Sequence, residues 1–259
     1  MALDSRARPA SNLASSPLSR RPALWSANLL PLSTADIAAL AWFAMLLTAF
    51  ELITGYGPLA RRSLSASVQF QRRRWLDNMT MREQRHIDAI LLSSLSQSNA
   101  FFASTSVLGI GGLAAMLGSG DTTRLLVQRL PWVAPSSPEL WEIKILFLIG
   151  IVIYAFFKFA WAFRLSHYTA ILFGAMPPFD ATDSEARHAH AAHAARLLEL
   201  VGEHANSGLR SFYYAFAAIA WLFHPLLFAG ATTIVILVLL RREFISRASN
   251  ILFDVRPRS

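Results

Sequence analysis

Glu51 and Lys158 are ionisable groups inside otherwise apolar runs, and charge in hydrocarbon is costly enough that each is a functional-site candidate. Lys158 stands in YAFFKFAWAFR, six residues before Arg164. That is about 9 Å along a helix, a distance most of which a lysine stem can snorkel. Glu51 lies ten residues before Arg61, which puts it on the same side of a membrane as Lys158. Gln97 and Asn99, 12 and 14 residues after Arg85, approach the same half from another apolar run, and Tyr154 lies one turn deeper than Lys158. The expected arrangement is a polar cluster with Glu51 and Lys158 as charged partners, within reach of one bridging water. Such a cluster either satisfies its own members and sets helix packing, the preferred reading, or forms part of a proton or ion path.

A second candidate is His224, 14 residues after Arg210 and 17 before Arg241, a spacing that puts it near a bilayer midplane. Pro225 follows it and is expected to kink the helix there by removing a backbone hydrogen bond. No second midplane histidine is available for haem, and no cofactor is expected. In HAHAAH, His190 and His193 have the i, i+3 spacing that can share a metal, but further ligands could come only from His204 or a first-loop carboxylate. An alanine-rich surface helix decorated with histidines is the preferred account of that run.

Other chemistries fail on the residues. The chain has no cysteine, which excludes disulfides, thiolate metal sites and thiol catalysis. It has no G-x-S-x-G elbow, and GIGGLAAMLGSG lacks the GK[ST] ending of a phosphate loop. These glycines suit a close-packing helix face instead.

The elements that must position the candidates are membrane spans. Of 259 residues 54% are hydrophobic and 15% charged, with mean hydropathy +0.40. The apolar residues gather in four blocks, about 34–56, 91–117, 140–163 and 211–240. Each reaches the roughly 20 residues that cross a hydrocarbon core. The fold class expected is all-α: an integral membrane four-helix bundle with an extramembrane helical lobe. The lobe comes from loop 57–86, where Phe70, Trp75, Met79 and Ile87 recur near helical spacing, and from 182–207. In the latter a helix is expected from about Asp183 to His204, opened by a Thr182/Glu185 capping box. Residues 1–33 and 249–259 read as flexible tails.

The net charge of +8 is carried by arginine, since Lys144 and Lys158 are the only lysines among 24 basic residues. In a membrane protein this points to topology and anionic lipid, with Arg61, Arg62, Arg72, Arg73 and Arg74 as lipid contacts, and not to nucleic acid. Four spans would put both ends of the chain on one side, and the arginines of loops 57–86 and 164–210 then favour the cytoplasm for those loops, in a bacterial inner membrane.

The stretches QRRRWLDNM, NAFFASTSVLGIGGL, LWEIKILFLIGIVIYAFFKFAWAFR and RSFYYAFAAIAWLFHPLLF, with RREFISRA, resemble the uncharacterised bacterial and plant membrane proteins grouped as domain of unknown function 599. The resemblance spans about Asp36 to Ala248. It implies four spans and a membrane location, and no activity. The functional expectation is a non-catalytic membrane protein whose partners are the bilayer and other membrane subunits or further copies of itself. The alternative is a small transporter or proton-coupled carrier using Glu51, Lys158 and His224.

Overall fold

The computed structural model describes residues 31–55, 63–180, 182–247 and 251–252. Within them the chain forms α1 (Thr34–Gly55), α2 (Leu64–Met79), α3 (His86–Gly118), α4 (Asp121–Gln128), α5 (Pro138–Gly174), α6 (Ser184–Ile219), a short 3-10 turn (Ala220–Leu222) and α7 (Pro225–Phe244), with no strand. Four of these, α1, α3, α5 and α7, are long and apolar enough to cross a membrane.

Local signals set the helix starts. Ser63 accepts from the Ala66 N–H to open α2, Ser137 does the same for Leu140 with Pro138 in the first turn of α5, and Asp183 accepts from Ala186 to open α6. Asp183, not Thr182, is therefore the cap of that helix. The helix also runs on to Ile219, well beyond His204. At 36 residues α6 is about 54 Å long, and α5 is of similar length, so both exceed a bilayer core of about 30 Å.

Contacts between helices register their depths. Near the start of α1, Asp36 accepts from the Trp221 indole at 2.7 Å, while near its end Glu51 meets Arg210 at 3.5 Å. Hence α6 runs antiparallel to α1. Trp42 donates to Thr233 at 3.0 Å, and Ser65, beyond the end of α1, donates its N–H to Glu243. Hence α7 runs parallel to α1, and the chain reverses between α6 and α7. The expected kinked span over 211–240 is instead two antiparallel pieces joined at His224 and Pro225, and its first piece belongs to α6. The last part of α6 makes a further passage through the bundle beside the four long apolar helices. Its outward residues there, Phe216 and Ile219, are apolar and exposed. Thr34 and Phe244 consequently lie at opposite ends of the bundle, contrary to the single side expected of them. Arg241, Arg242 and Arg247 move with α7 to the end where α2 lies. Arg124 and Arg129, flanking the lower turn between α3 and α5, are left as the arginines of the other end among the described residues.

The lower end, around Asp36, is filled with aromatic rings. Phe43 meets Phe147 at 5.7 Å, Phe147 meets Trp221 edge-on at 5.5 Å, and Trp221 stacks on Phe228 at 5.5 Å. Such pairs add about 0.5–1.5 kcal/mol each beyond the area they bury. Higher up, Gly208 of α6 lets the Phe159 ring of α5 close in, since a Cβ there would stand 2.8 Å from it.

Above Glu51 the helices continue as the lobe. Leu76 and Met79 of α2 are fully buried against Ala191, Ala194 and Ala195, whose small side chains let α2 and α6 approach closely. Buried Asp88 accepts from the Trp75 indole and from Arg82, both at 2.6 Å. Arg85 donates to the carbonyls of Met176 and Pro177, which ties the start of α3 to the end of α5.

Candidate functional site: a polar-rimmed cavity between α1, α5 and α6

Helices α1, α5 and α6 meet through aromatic rings at their lower end and separate above it. Between them lies a partly open cavity of about 1050 Å³. Its floor is apolar, with Phe43, Leu47, Phe147 and Ile151, and Gly150 contributes bare backbone to the wall. Its upper wall is polar, carrying Glu51, Tyr154, Lys158, His204, Arg210 and Tyr214. The first turn of α2 faces the same space through Ser63, Ser65 and Ala66.

The charges pair differently from the expectation. Glu51 lies 3.5 Å from Arg210 and makes no ion pair with Lys158 among the described residues. Lys158 instead sits 5.1 Å over the Tyr154 ring, a cation–π contact, and Tyr154 hydrogen-bonds Ser207 at 3.4 Å. Arg210, at the point where α6 passes Glu51, reaches the carboxylate, whereas the lysine of α5 at similar depth turns to Tyr154. The Arg210 guanidinium also lies over Phe50. The second carboxylate of the wall, Glu203, accepts from Gln69 of α2 at 3.2 Å. Glu51, Tyr154 and Lys158 therefore share one space.

Gln97 and Asn99 do not join them. Gln97 is exposed on α3, where it donates to Ser93 at 3.3 Å. Asn99 is buried on α3, and no α3 residue lines the cavity. His224 is not at mid-depth either. It sits at the lower reversal, where its ring accepts from the Leu226 N–H and so caps α7 ahead of Pro225. The Phe223 carbonyl left free by the break accepts from Ala134 at 2.8 Å.

Of the arginines expected at lipid, Arg61 and Arg62 lie outside the described residues. Arg72 turns inward over Gly202, where a Cβ would stand 1.7 Å from its guanidinium. Arg73 pairs with Glu199, and Arg74 is exposed. His190 hydrogen-bonds the Leu172 carbonyl at 2.7 Å while His193 points outward, and no group of three metal-ligating side chains occurs among the described residues.

Arg210 and Tyr214 are the wall residues that span-by-span reading passes over. Arg210 stands just before an apolar block and reads as a topology marker, and Tyr214 stands inside the block as an ordinary aromatic. The usable signal is length: 211–240 has 30 residues, about half as many again as one span needs, with His224 and Pro225 near its middle. Dividing the block there ends the α6 passage before His224 and starts α7 at Pro225.

No curated protein and no solved structure matches the chain. Residues 38–248 do match a protein family, the one described as protein of unknown function, DUF599, and the chain belongs to it.

Proposed function

We propose that this membrane protein is a non-catalytic binding protein, a small carrier caught with its cavity open, which receives a ligand between α1, α5 and α6. The observation that carries this reading is the 1050 Å³ cavity with Glu51, Lys158 and Arg210 in its polar wall, at the depth where α1 ends. Buried polar groups in a purely structural bundle are expected to satisfy one another; here the space between them is large enough for a small molecule. Single-cysteine variants test it directly, because the chain has no native cysteine. Ser207→Cys and Thr54→Cys, both in the wall, should react with a membrane-impermeant maleimide in proteoliposomes, whereas Val107→Cys on the exposed apolar face of α3 should not. Equal, slow labelling of all three would end the binding reading.

The accessory-subunit reading has its own outcome in the same preparation. Co-purification of a stoichiometric partner that blocks labelling at Ser207→Cys would replace the carrier reading with that one. We further propose that the lobe faces the cytoplasm of a bacterial inner membrane. What supports this is the arginine distribution after the reversal of α6 into α7, which among the described residues leaves Arg124 and Arg129 opposite the others. Reporter fusions after Phe244 and within loop 129–137 should read opposite sides, with the former cytoplasmic. The same side for both would refute the orientation and the reversal together.

A further inference from the structure

We propose that the ligand of this cavity is an amphiphile with a phosphate head, its acyl or prenyl chain lying on the apolar floor and its head among Lys158, Arg210 and Tyr214. The inference rests on the binding reading above and adds the chemical class. Both carboxylates of the wall already have donors: Glu51 has Arg210 and Glu203 has Gln69. What remains over is donor capacity. Lys158 has an aromatic ring beneath it and makes no ion pair among the described residues. The Tyr214 hydroxyl, on a side chain only 8% exposed, makes no hydrogen bond among the described residues, and neither do the Arg210 Nε nor the His204 Nδ1. A buried hydroxyl without a partner is unfavourable, and an oxygen-rich anion that accepts from it satisfies the group.

The apolar part of the ligand follows from the other half of the cavity. Phe43, Leu47, Phe147 and Ile151 have nothing to offer a free inorganic ion, and they lie toward mid-bilayer from the polar wall, the polarity order of a lipid. A second space of about 440 Å³ lies against Tyr154, Phe157, Lys158, Trp161 and His204. Tyr154, Lys158 and His204 line both spaces. They stand where a chain entering sideways between α5 and α6 would pass, with Lys158 available to the head throughout.

Full-length protein in non-ionic micelles, titrated by native mass spectrometry with dioleoyl phosphatidic acid, dioleoyl phosphatidylcholine and inorganic phosphate, tests the class. One phosphatidic acid should bind per chain, about tenfold or more tighter than phosphatidylcholine, as expected for a charge-assisted contact. Lys158→Gln should remove most of that preference, and Tyr214→Phe, which deletes only the unpartnered hydroxyl, should weaken phosphatidic acid a few-fold. Equal affinity for the two lipids, or an unchanged preference in Lys158→Gln, overturns the inference. So does inorganic phosphate binding as tightly as phosphatidic acid, because the floor would then contribute nothing. Maleimide labelling of Ser207→Cys separates the two readings: labelling without lipid preference removes the phosphate head and leaves the cavity, whereas no labelling removes both.

Discussion

Helices α1 and α5 each carry two charged residues facing the bundle, one at either end, and the two ends are built differently. At the lower end Asp36 is buried, with the Trp221 indole and the Ser33 hydroxyl both donating to it, and Lys144 lies buried 5.6 Å over the same indole ring. Trp221 and Phe228 fill the space between. At the upper end Glu51 is half exposed, its link to Arg210 is long, and Lys158 looks into a cavity. The same residue types on the same pair of helices thus make a closed structural joint at one end and an open site at the other. The difference lies in what α6 and the 3-10 turn after it supply: the turn a tryptophan that fills space and donates to the acid, α6 at the upper end Ser207, Arg210 and Tyr214, which leave space and surplus donors.

Trp221→Ala should break that comparison most severely, because it opens a void under Phe147 and Phe228 and strands the Asp36 carboxylate at once. A loss of about 3–5 kcal/mol is expected, read as a large fall in melting temperature in detergent, and retention of the wild-type melting temperature would show that the lower end is not the joint. Gly208→Ala comes next. Its Cβ would meet the Phe159 ring at 2.8 Å, below any ordinary contact, and should cost about 1–3 kcal/mol by spreading α5 from α6. Gly202→Ala should cost less, because the obstructing group there is the flexible end of Arg72.

A smaller, pH-dependent effect belongs to the open end. Burial first, and then the Lys158 ammonium, lower the His204 pKa below its ordinary 6.5, with Glu203 opposing. With the folded value below the unfolded one, the unfolded chain takes the proton first as pH falls. The group's contribution is therefore fully present above about pH 6.5 and is lost as pH drops through the depressed value. His204→Gln should flatten the melting temperature between about pH 5 and 7; an unchanged slope would assign the pH dependence elsewhere. Smallest of all should be Glu51→Gln, within about 1 kcal/mol for a half-exposed pair. A loss as large as that of Trp221→Ala would mean that the upper end is as structural as the lower.

Particular residues show what could be read in advance. The helical lobe was legible because Phe70, Trp75, Met79 and Ile87 recur near helical spacing and a capping pattern opens the helix after Thr182, and the similar depth of Glu51 and Lys158 was legible because depth along a helix follows from counting. Their pairing was not. Arg210, not Lys158, meets Glu51, because the lateral arrangement of α1, α5 and α6 decides which cation of that depth reaches the carboxylate, and spacing along the chain does not carry that arrangement. The Asp36, Lys144 and Trp221 joint is not legible for a complementary reason: Asp36 and Lys144 sit near span ends, where a charge looks ordinary, and Trp221 inside the apolar block 211–240, where an indole does.

What the sequence alone determined is the membrane character, the all-helical class and the four long apolar helices, since hydrophobic length is a property of consecutive residues. The tertiary structure decided that the chain reverses at His224 and Pro225, which carbonyls and indoles close the lower end, and that a cavity opens at the upper one. Those outcomes depend on which residues 100 or more positions apart reach the same depth, as Asp36 and Trp221 do, and that is fixed only when the helices dock.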